Sequence, residues 1–256
     1  MSILIDLRIA AVGDIHLGED VRGQYRRKLE GIEDRADVFM LAGDLTRHGT
    51  LEEGRVVADE LRGLSIPVVA VLGNHDYHSD LQYEIAAELR DAGVIVLDDD
   101  GVVIQCGDKK LGVVGGKGFG GGYAGKCASE FGEREIKNFV SHTRYIAEAW
   151  KVALKEIVAD HRVVLSHYSP IKETLEGEPP EIYPFLGSYL LAEAVDTAGA
   201  DLILHGHAHK GSEKGMTPGG IRVRNVALPV LGRAYSVYCL NCEDEFHSHD
   251  SQRQAG

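Results

Sequence analysis

The residues best able to do chemistry stand in five clusters: Asp14-Ile15-His16, Gly43-Asp44, Gly73-Asn74-His75-Asp76, Ser166-His167 and His205-Gly206-His207-Ala208-His209. Each follows a short apolar run. The densest comes after residues 67–72, where a glycine, a carboxamide, an imidazole and a carboxylate adjoin with no spacer. Polar groups packed that closely at a strand end cost free energy unless something binds them, and a metal ion would. The clusters offer one Asn, two Asp and four His as ligands: Asn74, Asp14, Asp44, His16, His167, His207 and His209. Nitrogen and oxygen donors without a thiolate admit Mn, Fe, Zn, Ni or Co. In extended chain, side chains at i and i+2 share a face. That spacing lets Asp14 and His16 reach one ion together, and it turns His207 and His209 the same way. A D-x-H pair taken alone also reads as a turn aspartate beside a surface histidine.

The positioning elements follow from the apolar pattern. Strands are predicted at 7–12, 38–42, 67–72, 94–97, 102–106, 111–114, 162–165, 201–204, 221–226 and 234–240. Helices are predicted at 21–34, from a Thr50 N-cap to 62, and at 79–90, 133–159 and 188–198. Asp44 then stands at a strand's C-terminal end, where ligands gather in open α/β sheets. Arg47 and His48 follow it, as phosphate contacts or as solvated loop residues. The glycine run at 115–122 lacks the G-x-x-x-x-G-K-[ST] order of a phosphate loop. It reads as a mobile loop near the site with Lys117 as an anion contact, or as a flexible surface connection. Loops 115–125 and 168–187 both leave strand ends and are expected to shape a pocket, with Tyr183 and Phe185 as contacts. Trp150 sits on the apolar stripe of the longest helix and reads as core. Cys239-Leu240-Asn241-Cys242, with His247 and His249 beyond, is either a separate metal or redox element or a strand end with free thiols.

The chain has 256 residues, 44% of them hydrophobic and 26% charged, with a formal charge of −13. That balance suits a globular protein and argues against a general nucleic-acid or anionic-membrane surface. Four scattered cysteines make no disulfide framework. Residues 1–8 carry charge and lack the apolar core of a signal peptide, and no apolar run is long enough for a bilayer, so a cytoplasmic protein is expected. Ligand clusters recur on both sides of the longest helix with no linker between them. A single domain at 1–242 is expected, with a polar, disordered tail at 243–256.

Taken in order, Asp14-x-His16, Gly43-Asp44, Gly73-Asn74-His75-Asp76, His167 and Gly206-His207-x-His209 resemble the calcineurin-like metallophosphoesterases. The resemblance implies an α/β fold, a two-sheet β-sandwich flanked by helices in four α/β/β/α layers. It implies two divalent transition-metal ions at one sheet edge. Asp14, His16, Asp44 and His209 would hold one, and Asp44, Asn74, His167 and His207 the other, with Asp44 bridging. The implied reaction is hydrolysis of a phosphate monoester or diester by a hydroxide bridging the ions, on a small-molecule substrate. His75 would be the general acid that protonates the leaving group. In the protein-phosphatase branch, an aspartate three residues after the bridging one orients that histidine. Here Arg47 stands in its place, which argues against that branch and leaves Asp76 as a supporting partner. The family also includes nucleases, and non-catalytic scaffolds that have lost ligands; this chain keeps all seven.

Overall fold

The structure is a computed structural model, and it describes residues 7–240. In chain order the strands are β1 (Leu7–Val12), β2 (Val38–Ala42), β3 (Val68–Val71), β4 (Ile95–Val96), β5 (Asp100–Cys106), β6 (Lys109–Gly116), β7 (Gly122–Tyr123), β8 (Lys126–Cys127), β9 (His161–Ser166), β10 (Leu202–His205), β11 (Lys214–Met216), β12 (Arg222–Asn225) and β13 (Ser236–Leu240). The helices are α1 (Gln24–Lys28), α2 (Leu51–Leu61), α3 (Gln82–Asp91), α4 (Arg134–Glu156), α5 (Tyr183–Leu186), α6 (Tyr189–Ala198) and α7 (Leu228–Leu231). One large sheet runs β13-β1-β2-β3-β4 and the other β11-β12-β10-β9-β6-β5, while β7 and β8 form a separate two-stranded sheet. The expected two-sheet sandwich flanked by helices is the observed fold.

Alternation along the strands builds the layers. Ile9, Ala11, Val38, Met40, Val69 and Val71 pack between the sheets against Val113, Val163, Leu165 and Leu204. Their neighbours Ala10, Val12, Phe39, Leu41 and Ala70 face outward onto Val56, Val57, Ile85 and Leu89 of α2 and α3. The second sheet turns Val114, Val164 and Ile203 onto Trp150, Leu154, Leu191 and Val195 of α4 and α6. Strands covered on both faces read as continuous apolar runs, which is why the sequence shows them so clearly. Trp150 is fully buried, as expected, and its Nε1 donates to Asp99 Oδ1 at 2.9 Å.

Local chemistry fixes the helix starts. The Thr50 hydroxyl accepts from Glu53 N while the Glu53 carboxylate reaches back to Thr50 N, a capping box that opens α2. Ser188 caps α6 through Leu190 N.

Two expectations are corrected. The single helix predicted at 21–34 is broken into α1 and two short 3₁₀ turns, because Gly23 and Gly31 adopt φ of 77° and 72°. The glycine run is neither a mobile loop nor a surface connection. Gly115 and Gly116 end β6, and Gly118, Gly120, Gly121 and Gly122 are buried. A Cβ at Gly115 would collide with the Leu165 carbonyl, and one at Gly120 with that of Pro184. These glycines permit close approach between backbones. The segment is also tied down, with Gly121 N donating to Pro184 O at 2.7 Å and Gly122 N to Gly187 O at 2.8 Å. Cys239 lies in β13 with a free thiol. Cys242, His247, His249 and the tail at 243–256 lie outside the described residues.

Candidate metal centre

The parallel strands of both sheets finish at one edge. Val12 pairs with Leu41, and Ala42 with Val71; across the sandwich Leu204 pairs with Leu165. The residues that follow β1, β2, β3, β9 and β10 are the five sequence clusters. Asp14, His16, Asp44 and His207 take left-handed backbone conformations, with φ of 57°, 43°, 51° and 71°. Non-glycine residues avoid that region unless the surrounding structure holds them there, and such outliers gather at functional sites. This corrects the i, i+2 expectation for Asp14 and His16: sharp left-handed turns, and not extended chain, aim these side chains. His207 likewise lies beyond the end of β10 and is not in a strand. The preceding glycines make room. A Cβ on Gly73 would overlap Asp44, and one on Gly206 would overlap the Asp14 carboxylate.

The side chains meet in two groups. Asp14, His16, Asp44 and His209 offer ligand atoms within 4.8 Å of one another, and so do Asp44, His167 and His207. Asp44 belongs to both. Its Oδ2 faces His16 Nε2 at 3.7 Å and its Oδ1 faces His167 Nε2 at 3.3 Å. Asn74 Oδ1 lies 2.9 Å from His167 Nε2, which places the carboxamide with the second group. His209 Nε2 lies 2.8 Å from Asp14 Oδ1.

Backbone carbonyls set the tautomers. His167 Nδ1 donates to Ala42 O at 2.9 Å, leaving Nε2 to face the cluster. His207 Nε2 donates to Phe185 O at 3.1 Å, leaving Nδ1 with the lone pair. Fixing the outer nitrogen of a ligand histidine orients the ring and raises its basicity. The electrostatics agree with cation binding. Asp14 and Asp44 are 2% and 1% exposed. Burial pushes Asp14 up to about 6, against the downward pull of His209. Burial lowers His167 well below the ordinary histidine range and His207 to about 3, so both imidazoles stay neutral, the form that binds metal. His16 Nε2 is buried and has no hydrogen-bond partner. Two buried carboxylates, neutral imidazoles and an orphaned nitrogen fit a pair of divalent cations.

A model of the calcineurin-like phosphoesterases matches residues 7–211. The chain belongs to that family. No curated protein sequence matches it. The fold resembles phosphopantetheinyl hydrolase from Mycobacterium tuberculosis, with a TM-score of 0.68 and 14% identity over 95% of this chain and 99% of that one. It also resembles a Thermus thermophilus protein, with a TM-score of 0.59 and 15% identity over 91% and 99% of the two chains. A third likeness is GAP50, the anchor in the inner membrane complex of Plasmodium, with a TM-score of 0.52 and 13% identity over 88% and 72%. One fold thus carries both a hydrolase and an anchor by name, and the function of this calcineurin-like phosphoesterase has to be argued from its site.

His75 stands at the open side of the cluster, with 43% of its side chain exposed and its ring centroid 4.5 Å from that of His16. Its Nε2 lies 3.9 Å from Asp44 Oδ2. Its Nδ1 donates to the backbone carbonyl of Arg47 at 2.7 Å. The residue at the branch-specific aspartate position therefore does orient the histidine, but through its main chain. The Asp76 carboxylate hydrogen-bonds elsewhere and not to the His75 ring. It is fully buried and accepts from Gly73 N, Leu45 N, Thr46 N and Thr46 Oγ1 at 2.7, 3.2, 2.8 and 2.6 Å. It clamps the loop after β2 to the loop after β3, and so fixes Asp44 against Asn74.

The remaining candidates divide. The Arg47 guanidinium pairs with Asp20 at 3.1 Å on the surface. His48 is turned to Glu53, 3.1 Å away, at the start of α2. Tyr183 donates to Leu175 O at 3.1 Å and packs with Tyr123, Leu186 and Ala208, so it is spent on the loop's own packing. The expected loops do border the site, through Lys117 in one and the Phe185 carbonyl in the other. Thr46 and the carbonyls of Ala42, Arg47 and Phe185 went unnoticed in the sequence. A carbonyl is common to every residue and leaves no sequence signal.

Proposed function

We propose that the chain is a metal-dependent hydrolase of small phosphate esters. The observation that carries this reading is the pair of ligand groups sharing one buried carboxylate, Asp44. Asp14, His16, Asp44 and His209 would hold one divalent transition-metal ion, and Asp44, Asn74, His167 and His207 a second. Bound there, the pair supplies Lewis-acid polarisation of the phosphoryl group and acidifies water for attack near neutral pH. The chain's own residues supply the rest. Neutral His167 and His207 and the Asn74 carboxamide add no negative charge, so the cluster stays electrophilic toward an anionic ester. The left-handed turns and the Asp76 clamp hold both loops before any ligand arrives, which lowers the cost of assembling the site. His75, with Nδ1 committed to the Arg47 carbonyl, presents Nε2 to donate a proton to the departing oxygen.

The test is a panel of p-nitrophenyl phosphate, bis-p-nitrophenyl phosphate and cyclic nucleotides on protein loaded with Mn, Fe, Zn, Ni or Co. Turnover should appear with metal and disappear in Asp44→Ala, with metal content falling at both positions together. A folded wild type that takes up no metal would sink the reading.

A further inference from the structure

β1, β2, β3, β9 and β10 each lead to a candidate ligand at this edge, and β6 is a further parallel strand that ends beside them. β6 pairs in register with β9, Gly116 beside Ser166, so Lys117 leaves β6 as His167 leaves β9. The Lys117 carbonyl accepts from His167 N at 3.2 Å and from Tyr168 N at 3.0 Å. Its ammonium stands over three rings, 4.9 Å from the centre of Tyr77, 4.8 Å from Phe119 and 5.2 Å from Tyr168. One of those rings, Tyr168, borders the site. Tyr168 lies 4.5 Å from the ring of His207, and Tyr77 is two residues past His75. Burial lowers the Lys117 ammonium from the ordinary lysine range, and Asp99, Asp98 and Asp44 oppose that only through space, without a hydrogen bond. Cation–π contacts compensate part of the cost of taking an ammonium out of water. They leave its three donors unused, and a half-buried cation in that state is ready to take an anion.

We propose that Lys117 is a specificity-determining residue whose ammonium binds a non-bridging phosphate oxygen, so that the site favours phosphomonoester dianions over diesters. This rests on the phosphoesterase reading above. A monoester dianion shows three charged oxygens, and two metal positions plus Lys117 supply three positive partners. In a diester the third oxygen is esterified and carries no charge, so the ammonium loses its partner. The ring cage holds the side chain in place beforehand, which reduces the entropy lost on binding.

The experiment compares wild type with Lys117→Met, Lys117→Gln and Lys117→Arg, loaded with one metal and checked for equal metal content. Binding of inorganic phosphate is measured by calorimetry at a pH where it is a dianion, which requires no turnover. A charge-assisted hydrogen bond predicts about 10–100-fold weaker phosphate binding in the Met and Gln variants. Lys117→Arg should recover part of the loss. The ratio of kcat/KM for p-nitrophenyl phosphate to that for bis-p-nitrophenyl phosphate should fall by a similar factor. Lys117 also lines a small cavity with Tyr77, Gln82 and Asp98, where the Gln82 carboxamide oxygen is buried without a partner. If Lys117 served that cavity alone, its loss would lower Tm and leave both phosphate binding and the ratio unchanged, which would overturn the proposal. A wild type that binds phosphate but hydrolyses neither ester would refute the phosphoesterase reading, and the binding arm would still decide the role of Lys117.

Discussion

At the scale of single residues, His75 is held in place without a carboxylate partner. The Arg47 carbonyl accepts from Nδ1, so the imidazole keeps one orientation without a carboxylate. A proton from Nε2 matters most for a leaving group that is a poor anion. His75→Ala should retain both metals and lose about 10²–10⁴-fold in rate on alkyl or nucleoside esters. On p-nitrophenyl esters the loss should be much smaller. Rates across a leaving-group series check this, and a flat wild-type to mutant ratio would remove the acid role. Asp99 gives a second expectation, on stability. Burial pushes it up to about 6 from 3.8; Trp150 and Lys117 pull it down, while Asp98 and Asp100 push it up. The folded chain therefore holds that proton more tightly than the unfolded chain. Its contribution to stability falls as pH rises from about 4 to about 6 and is flat above. Asp99→Asn keeps an acceptor for Trp150 Nε1 and suits the residue's φ of 60°. It should gain roughly 1–2 kcal/mol at pH 7.5. Denaturation at a series of pH values should show the gain shrinking as pH is lowered through 6 toward 4.

At the scale of elements, the site depends on how closely strand-end loops can pass. Gly73 is the tightest example among the ligand clusters, since a Cβ there would overlap both the carboxylate and the backbone nitrogen of Asp44. Asp76 pulls the same two loops together through three hydrogen bonds from Leu45 and Thr46. Neither loop has room to give. Gly73→Ala should therefore cost about 1–3 kcal/mol in stability, the usual range for forced overpacking. It should also displace Asp44 and lower metal occupancy at both positions together. Thermal unfolding and elemental analysis on the same sample test the two effects. Wild-type metal content in a stable variant would show that the loops can separate.

For the molecule as a whole, the main expectation concerns metal and folding together. The formal charge is −13, and the sheet edge that carries the candidate ligands buries Asp14, Asp44 and Asp76. Without cations the buried carboxylates of Asp14 and Asp44 repel one another in a dry setting, which works against the folded state. Ions that bind only the folded chain stabilise it, by about 2.7 kcal/mol each at a concentration a hundredfold above Kd. Metal addition should raise Tm, and a chelator should reverse the shift. Asp14→Asn combined with Asp44→Asn should make Tm insensitive to metal while raising the Tm of the metal-free protein. Unchanged Tm on metal addition in the wild type would count against a site with this charge. Among the described residues no helix is long and apolar enough to cross a membrane.

The sequence by itself determined the layered fold and the ligand candidates, for one physical reason: both are written in residue type. Strands buried on both faces must be apolar throughout, and helices covered on one face must be striped. Chemistry-bearing side chains that break off each apolar run are then visible at once, from Asp14 to His209. The helix at 21–34 misled because Gly23 and Gly31 sit within an otherwise helical pattern, and only the fold reveals their positive φ. The glycine run at 115–122 misled for a related reason. Glycine serves mobility and close backbone contact equally well, and only the neighbouring Leu165 and Pro184 carbonyls decide between them. Tertiary structure alone decided what holds each candidate site residue still. His75 leans on the Arg47 carbonyl, His167 on that of Ala42 and His207 on that of Phe185, and Asp76 grips backbone amides. Those partners are main-chain groups that every residue carries, so only the path of the chain in space can select them.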